Sequence, residues 1–236
     1  MTDRSLAARV WSKKGARRAM IGAGAAGTVA AWWFTDSAPY PYSQRWLLDL
    51  PLPFLTLNRL DEVLQARPGE RILEIGPGTG LQSLHVAPQL GSGGQLDIVD
   101  IQQEMLDHVT RRATEQGIGN IAATHADAHQ LPFEDGSFDA AYLVTALGEI
   151  PEPAVTLAEL RRVLKPTGRL VVGEFFDRHQ IRASSLVGLA EGAGLRVTRL
   201  YGPPFAYYAV LRPFAVPVAL PKQAGEPDAE LSPVEA

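Results

Sequence analysis

The sequence of 236 residues contains no cysteine. This absence excludes disulfide bonds, thiol catalysis and thiolate metal sites, and we expect no metal site. Basic residues are not in excess either, since 22 lysines and arginines stand against 26 aspartates and glutamates, for a formal net charge of −4. The chain therefore has no general electrostatic reason to bind a polyanion, and we expect no nucleic-acid partner.

The composition is that of a folded globular protein. Hydrophobic residues make up 46% of the chain and charged residues 20%, which allows a sizeable core to be buried. The length fits one α/β domain with attached tails, and two full domains are not expected.

Residues 71–80, Arg-Ile-Leu-Glu-Ile-Gly-Pro-Gly-Thr-Gly, are the most informative stretch of the chain. The apolar run before Gly76 predicts a parallel strand that is buried on both faces. Gly76, Gly78 and Gly80 then allow a tight turn and the close approach of a ligand. Helical spacing from residue 81 to about 90 predicts that the loop leads into the start of a helix.

The position of the acidic residue indicates what kind of ligand the loop takes. A dinucleotide fingerprint has the spacing Gly-x-Gly-x-x-Gly with its acid further on, whereas here Glu74 precedes three alternate glycines. A carboxylate at this point would hold a cationic amine and repel a pyrophosphate. The stretch resembles motif I of the class I S-adenosylmethionine-dependent methyltransferases. A glycine-rich turn without a ligand is the alternative.

Two further acids follow predicted strands. Asp100 ends a strand over residues 95–100 and lies 20 residues after Gly80, a distance typical of an acid that reaches ribose hydroxyls. A turn aspartate is the alternative. Asp127 follows a strand over residues 121–126, and the run 131–139 resembles the motif before the fourth strand of small-molecule methyltransferases. That resemblance implies that Asp127 accepts from the adenine amino group.

The resemblance implies S-adenosylmethionine as the cofactor. Its methionine part would be held by Glu74 and the glycine loop, its ribose beside Asp100, and its adenine by Asp127 and the backbone near Ala128. The implied cofactor-binding residues are Glu74, Gly76, Gly78, Thr79, Gly80, Asp100, Ile101, Asp127 and Ala128.

The remaining pattern predicts the rest of the sheet. Further strands are expected over residues 140–144, 169–175, 195–200 and 205–211, with helices over about 102–116, 153–164 and 184–193 and a turn at 165–168. The short connection at residues 202–204 forces a hairpin, so the last strand must be antiparallel to its partner. We therefore predict a Rossmann-like, doubly wound α/β fold with seven strands. The resemblance also places a preceding helix, from Thr56 or Asn58 to about Ala66, over the cofactor.

The segment after the fourth strand bears on the methyl acceptor. It is not Asn-Pro-Pro-Tyr, which disfavours the amino-directed nucleic-acid methyltransferases. Residues 165–168, residues 131–133 and the terminal hairpin resemble the ubiquinone/menaquinone C-methyltransferases, a large set with diverse small substrates. The sulfonium of the cofactor already activates the methyl group, so we expect in-line transfer to a small acceptor. The membrane association predicted for the N-terminal segment makes a lipophilic acceptor the expectation. Glu149 is the candidate general base, and an ordinary turn carboxylate is the alternative.

The N-terminal segment, residues 1–36, combines charge with an apolar stretch. Six lysines and arginines stand against one aspartate in residues 1–18, and 17 uncharged residues follow, ending in Trp32, Trp33 and Phe34. This pattern predicts association with the inner face of the membrane for an otherwise cytoplasmic protein. A signal peptide and a packed helix are the alternatives. Residues 22–27 match the dinucleotide fingerprint, but no strand precedes them, and we interpret them as small-residue helix packing.

These patterns divide the chain into three parts: the N-terminal segment 1–36, a methyltransferase domain over residues 37–212, and a proline-rich acidic tail over residues 213–236 that we expect to be disordered. Two other functions remain open at this point. One is a nicotinamide-dependent oxidoreductase, and the other is a catalytically silent S-adenosylmethionine-binding or membrane-scaffolding protein. The oligomeric state is not predicted.

Overall fold

The computed structural model describes residues 41–49 and 54–214. The predictions for residues 1–36 and for nearly all of the tail fall outside these described residues. Within the described ranges, no helix has both the length and the apolar character needed to cross a membrane.

One mixed sheet of seven strands forms the centre of the domain. Its order is β3-β2-β1-β4-β5-β7-β6, and only β7 runs antiparallel to its neighbours. The strands are β1 (Arg71–Ile75), β2 (Gln95–Asp100), β3 (Ile121–His125), β4 (Phe138–Val144), β5 (Leu164–Phe175), β6 (Leu195–Tyr201) and β7 (Ala206–Pro213). This topology confirms the predicted fold class.

Helices cover both faces of the sheet. They are α1 (Leu57–Leu64), α2 (Ser83–Val86), α3 (Gln103–Glu115), α4 (Pro153–Val163) and α5 (Ala183–Gly192), with 3-10 turns at Tyr42–Leu47, Ala87–Leu90 and Leu147–Glu149. Side chains of α1, α2 and α3 join one buried cluster, and those of α4 and α5 join another on the opposite face. In β1, Ile72 belongs to the first cluster, whereas Leu73 and Ile75 belong to the second, as a strand buried on both faces requires.

The helix predicted over residues 81–90 is interrupted. The α-helix α2 covers only four residues, and a 3-10 turn, Ala87–Leu90, continues it. Pro88 provides the physical reason, because it has no N–H group for an α-helical hydrogen bond. The prediction of one continuous helix was therefore wrong.

The turn predicted at residues 165–168 is a bulge within β5. Leu164 pairs with Phe138, and the pairing resumes only with Arg169 opposite Ala140. The bulge is held to the sheet, because Lys165 Nζ lies 2.6 Å from Asp139 Oδ1. These contacts between distant parts of the chain keep the segment inside the strand.

Helix α1 begins at Leu57, where the sequence predicted a helix, and its position over the cofactor stays a prediction. Thr56 caps it, since its hydroxyl accepts a hydrogen bond of 3.3 Å from Arg59 N. The helix packs on β5 and β7, and the buried Arg169 guanidinium donates to the carbonyls of Leu64 and Gln65 at its C-terminal end. Leu48 and Asp49, which precede the helix, both lie against the loop: Leu48 is next to Gly78, and Asp49 accepts a hydrogen bond from Thr79.

Candidate active site

The glycine loop, residues 76–80, leaves the carboxyl end of β1 in a conformation that only glycine adopts easily. Gly76, Gly78 and Gly80 have φ angles of +68°, +54° and +84°. Added Cβ atoms would lie 2.8 Å from Ala146 Cβ, 3.1 Å from Leu48 Cδ1 and 2.9 Å from Val109 Cγ1, respectively. Backbone conformation and crowding therefore both require glycine at these three positions, and the loop forms a cradle without side chains there.

Residues 41–49, here called the strap, hold this loop from outside. The Thr79 hydroxyl donates a hydrogen bond of 2.7 Å to Asp49 Oδ1. Arg112 of α3 donates to the Thr79 carbonyl at 2.7 Å and lies 3.4 Å from Asp49 Oδ1. The loop is thus bound to the strap and to a helix at the same residue. Sequence reasoning missed Asp49 and Arg112, since neither lies in a recognisable motif.

Glu74 lies beneath the loop with its side chain buried on the α1 to α3 face of the sheet. Burial raises the pKa of its carboxyl to about 7, against the lowering effect of the Ser83 hydroxyl, which donates a hydrogen bond to it. The Tyr142 hydroxyl faces the same carboxylate but is buried without a hydrogen bond of good geometry. Glu74 can therefore change its charge near neutral pH when a cation approaches.

Asp100 stands at the carboxyl end of β2, next to the loop. Burial raises the pKa of its carboxyl, and hydrogen bonds from the following backbone amides oppose this rise. One of these bonds joins Gln102 N to Asp100 Oδ1 at 2.8 Å. The adjacent Ile101 side chain is 55% exposed, so a carboxylate and a free apolar surface occur side by side. The Asp100 carboxylate can accept hydrogen bonds from the hydroxyl groups of a ligand, and the Ile101 side chain can pack against a flat ring beside them.

Asp127 and Ala128 follow β3 at the same edge of the sheet. The exposed Asp127 carboxylate accepts from His129 N at 2.9 Å, and its Oδ1 lies 2.8 Å from His129 Nδ1. The other ring nitrogen of His129 bonds to the Pro151 carbonyl, so this histidine joins the loops that follow β3 and β4. Both ring nitrogens of His129 therefore lie beside hydrogen-bond acceptors, the Asp127 carboxylate and the Pro151 carbonyl.

Glu149, the candidate general base, belongs to the 3-10 turn that follows β4. The chain reaches this turn through Thr145, whose φ of +55° is strained for a β-branched residue. A hydrogen bond of 2.7 Å from Thr145 N to the Gly173 carbonyl holds this conformation. The turn is therefore fixed to β5 at the carboxyl edge of the sheet.

Sequence reasoning also missed Glu174, because it treated residues 169–175 as an apolar strand. The Glu174 side chain is 2% exposed, and its Oε2 accepts from Ile181 N at 3.2 Å. The pKa of this carboxyl is raised to about 8, chiefly by burial, and the negative charges of Asp177 and Glu149 act in the same direction. A lone acid within an apolar run gives no sequence signal for such a role.

The site thus assembles the predicted cofactor residues along one edge of the sheet, at the carboxyl ends of β1, β2 and β3. Open α/β sheets bind ligands at this edge. Within residues 41–49 and 54–214, no three acidic or histidine side chains are grouped so as to hold a metal ion. The assignment of individual residues to parts of the cofactor stays a prediction.

Part of the chain is similar to known proteins. Residues 72–168 match the family described as a methyltransferase domain. A ubiquinone/menaquinone biosynthesis C-methyltransferase of Cellvibrio japonicus is 40% identical over 119 residues, which cover 50% of this chain and 48% of that relative. A demethylmenaquinone methyltransferase of Clavibacter sepedonicus is 43% identical over 107 residues, which cover 45% of this chain and 42% of the relative. The chain spans about half the length of the curated relatives it matches.

Among solved structures, an S-adenosylmethionine-dependent methyltransferase from Aquifex aeolicus shares the fold. Its TM-score is 0.67 at 22% sequence identity, and the match covers 73% of this chain and 97% of the other. The nicotinamide-dependent and catalytically silent alternatives gain no support from these matches. The fold and the matched domain confirm the predicted resemblance: residues 72–168 match a methyltransferase domain, this part of the chain is similar to the ubiquinone/menaquinone C-methyltransferases, and the fold is that of the class I S-adenosylmethionine-dependent methyltransferases.

Proposed function

We propose that this protein transfers a methyl group from S-adenosylmethionine to a small, lipophilic acceptor. The observation that carries the proposal is the alignment of Glu74, Asp100 and Asp127 at the ends of three neighbouring strands, beside a cradle of three glycines. Glu74 suits the amine of the cofactor, Asp100 its ribose and Asp127 its adenine. All three residues lie within the matched domain, residues 72–168.

The protein's own contribution is positioning and exclusion of water. S-adenosylmethionine, when bound, supplies a methyl group that its sulfonium already activates. Glu74 and the glycine loop orient the amino-acid end, and Asp100 accepts from hydroxyl groups. The strap covers the loop through Asp49, which keeps water from that side. Orientation of this kind can supply most of the rate enhancement in a displacement reaction.

Glu149 is proposed to take a proton from the substrate that receives the methyl group. It follows β4, the strand next to β1, so it lies at the same edge of the sheet as the glycine loop. A carboxylate there can take a proton from a hydroxyl or an activated carbon as the methyl group is transferred.

A lipophilic acceptor is supported by apolar side chains left exposed at this edge. Phe176, one residue beyond β5, is 58% exposed, and Phe205, one residue before β7, is 47% exposed. The pairing of Phe175 with Ala206 makes them neighbours across the strand ends. The names of the matched relatives, which refer to ubiquinone and menaquinone, agree with an acceptor of this class.

Membrane association of residues 1–36 is the second part of the proposal. Six basic residues beside an apolar stretch can bind an anionic surface reversibly, at about 1 kcal/mol for each charge near it. The test compares sedimentation with anionic vesicles for the full chain and for a variant starting at Ser37. Salt-sensitive binding of the full chain alone supports the proposal, and equal behaviour of both contradicts it.

The proposed activity is tested in two steps, first by cofactor binding and then by methyl transfer. Isothermal titration should give heat with S-adenosylmethionine and S-adenosylhomocysteine but not with NADH. Radiolabelled methyl transfer to lipophilic extracts, and to a demethylated quinol, should then identify the acceptor class. The absence of binding heat at millimolar S-adenosylmethionine would refute the assignment.

A further inference from the structure

We propose that Glu174 is a positioning residue that holds together the two loops on the acceptor side of the site. These loops are the turn Leu147–Glu149 after β4 and residues 176–181 after β5. The inference rests on the proposed function, because it assigns Glu174 the task of fixing the turn that carries Glu149.

Glu174 binds the second loop directly. It is the next-to-last residue of β5, and its Oε2 accepts from Ile181 N at 3.2 Å. The carbonyl of Ile181 accepts a hydrogen bond of 2.6 Å from the Tyr207 hydroxyl. The amide and the carbonyl of Ile181 are therefore both hydrogen-bonded to side chains of the sheet, the amide to Glu174 of β5 and the carbonyl to Tyr207 of β7.

The first loop is in close contact with the second. A Cβ atom added to Gly148 would lie only 2.0 Å from the His179 carbonyl oxygen, so the two backbones meet where only glycine fits. The Gly148 amide points toward the Glu174 carboxyl and lowers its pKa. Glu174 thus lies beneath the contact between the loops and interacts with both.

One oxygen of the Glu174 carboxyl is buried without a hydrogen bond to any described residue, and acidic groups surround it. Its Oε1 is buried with no hydrogen-bond partner among the described residues, an arrangement that costs free energy and is rare in folded proteins. Charged or titratable groups face it from each neighbouring element: Glu149 on the turn, Asp177 on the second loop and Tyr207 on β7.

These surroundings favour the neutral acid at the contact. Burial is the main cause of a pKa of about 8, so the proton stays in place at neutral pH. Loss of the proton would put a third negative charge beside Glu149 and Asp177 and would push the loops apart. The contact between the turn Leu147–Glu149 and residues 176–181, which positions Glu149, is therefore stable below about pH 8 and weaker above it.

Three variants of the full chain test this role. Glu174→Gln keeps the shape and the donor and acceptor of the neutral acid, Glu174→Leu removes them, and Asp177→Asn removes only a neighbouring charge. S-adenosylhomocysteine titration should give the same affinity for all three within about twofold, which also establishes that they fold. A twofold change corresponds to about 0.4 kcal/mol.

The expected effects lie in acceptor kinetics and in their pH dependence. Glu174→Leu should lower kcat about tenfold or more and raise the acceptor KM. Glu174→Gln should keep kcat near neutral pH and lose the alkaline decline that we expect for the natural protein near pH 8. Asp177→Asn should move that decline to lower pH, because removing a negative neighbour lowers the pKa of Glu174.

Hydrogen exchange gives a readout that needs no turnover. With S-adenosylhomocysteine bound, amides in residues 176–182 should exchange about fivefold faster in Glu174→Leu. Near pH 9 the natural protein should exchange faster than Glu174→Gln at the same pH. Unchanged exchange in Glu174→Leu, or an alkaline decline retained in Glu174→Gln, overturns the inference. Failure of the natural protein to bind cofactor overturns the proposed function instead.

Discussion

The Thr79 hydroxyl lies 2.7 Å from Asp49 Oδ1, and this bond joins the glycine loop to a segment 30 residues earlier in the chain. Arg112 contacts both residues, so the carboxylate, the hydroxyl and the guanidinium form one cluster over the loop. The loop conformation therefore depends on residues outside the glycine motif.

Replacing Thr79 by Val should weaken S-adenosylhomocysteine binding about fivefold. The change removes one hydrogen bond, which contributes about 1 kcal/mol, and leaves the side-chain volume nearly unchanged. Isothermal titration measures the effect. Thr79→Ser, which keeps the hydroxyl, is the matched control and should bind normally. Equal affinity of the Val and Ser variants would mean that the strap does not support the cofactor loop.

Replacing Gly78 by Val should abolish measurable cofactor binding. Its φ of +54° is costly for a branched residue, and even a Cβ atom would lie 3.1 Å from Leu48 Cδ1. Gly119→Ala is the control, because Gly119 has no atom within 4 Å of an added Cβ and no positive φ. A folded Gly78→Val protein with normal affinity would show that the loop is not the cofactor site.

Replacing Asp100 by Ala should weaken cofactor binding by about 1 to 3 kcal/mol, the range for hydroxyl groups that lose a charged partner. The same change should reduce binding of adenosine alone, since the predicted contact is with ribose. Competition titration with adenosine measures this. Glu104→Gln, on the exposed first turn of α3, is the control. Retained adenosine affinity in Asp100→Ala would contradict the ribose assignment.

Cofactor binding should release protons near neutral pH. The pKa of Glu74 is about 7, chiefly because of burial, so about half of the protein carries this proton at that pH. A cationic amine beside the carboxylate lowers its pKa and expels the proton. Calorimetry in buffers of different ionisation enthalpy measures the number released. Glu74→Gln should release none from this group, and an unchanged number would remove Glu74 from the amine site.

Stability should fall as the pH rises from about 5 to about 8. The folded-state pKa values of Glu74 and Glu174, about 7 and about 8, lie above the ordinary value of a glutamate. In this window the folded state binds more protons than the unfolded state, so the free energy of unfolding decreases with pH. Urea unfolding at several pH values measures the slope. Glu74→Gln and Glu174→Gln should each flatten it, and the exposed Glu104→Gln should not.

The glycine loop and the antiparallel direction of the last strand were predictable because their signals are local. An apolar run ending in glycine defines β1 and its loop, and a short connection fixes the direction of β7. The contacts of Thr79 with Asp49 and of Glu174 with Ile181 were not predictable, since their partners come from separate elements. The bulge at residues 165–168 has the same origin, because its geometry depends on the register with β4.

The attachment of the strap has a thermodynamic consequence that works in both directions. If the strap favours the loop conformation that binds cofactor, bound cofactor must favour the docked strap by the same factor. Residues 1–36 precede the strap in the sequence and are separated from it by residues 37–40. Any partner or surface that bound residues 1–36 and drew the strap away from the loop would therefore promote release of the cofactor, and saturating cofactor would oppose that partner equally.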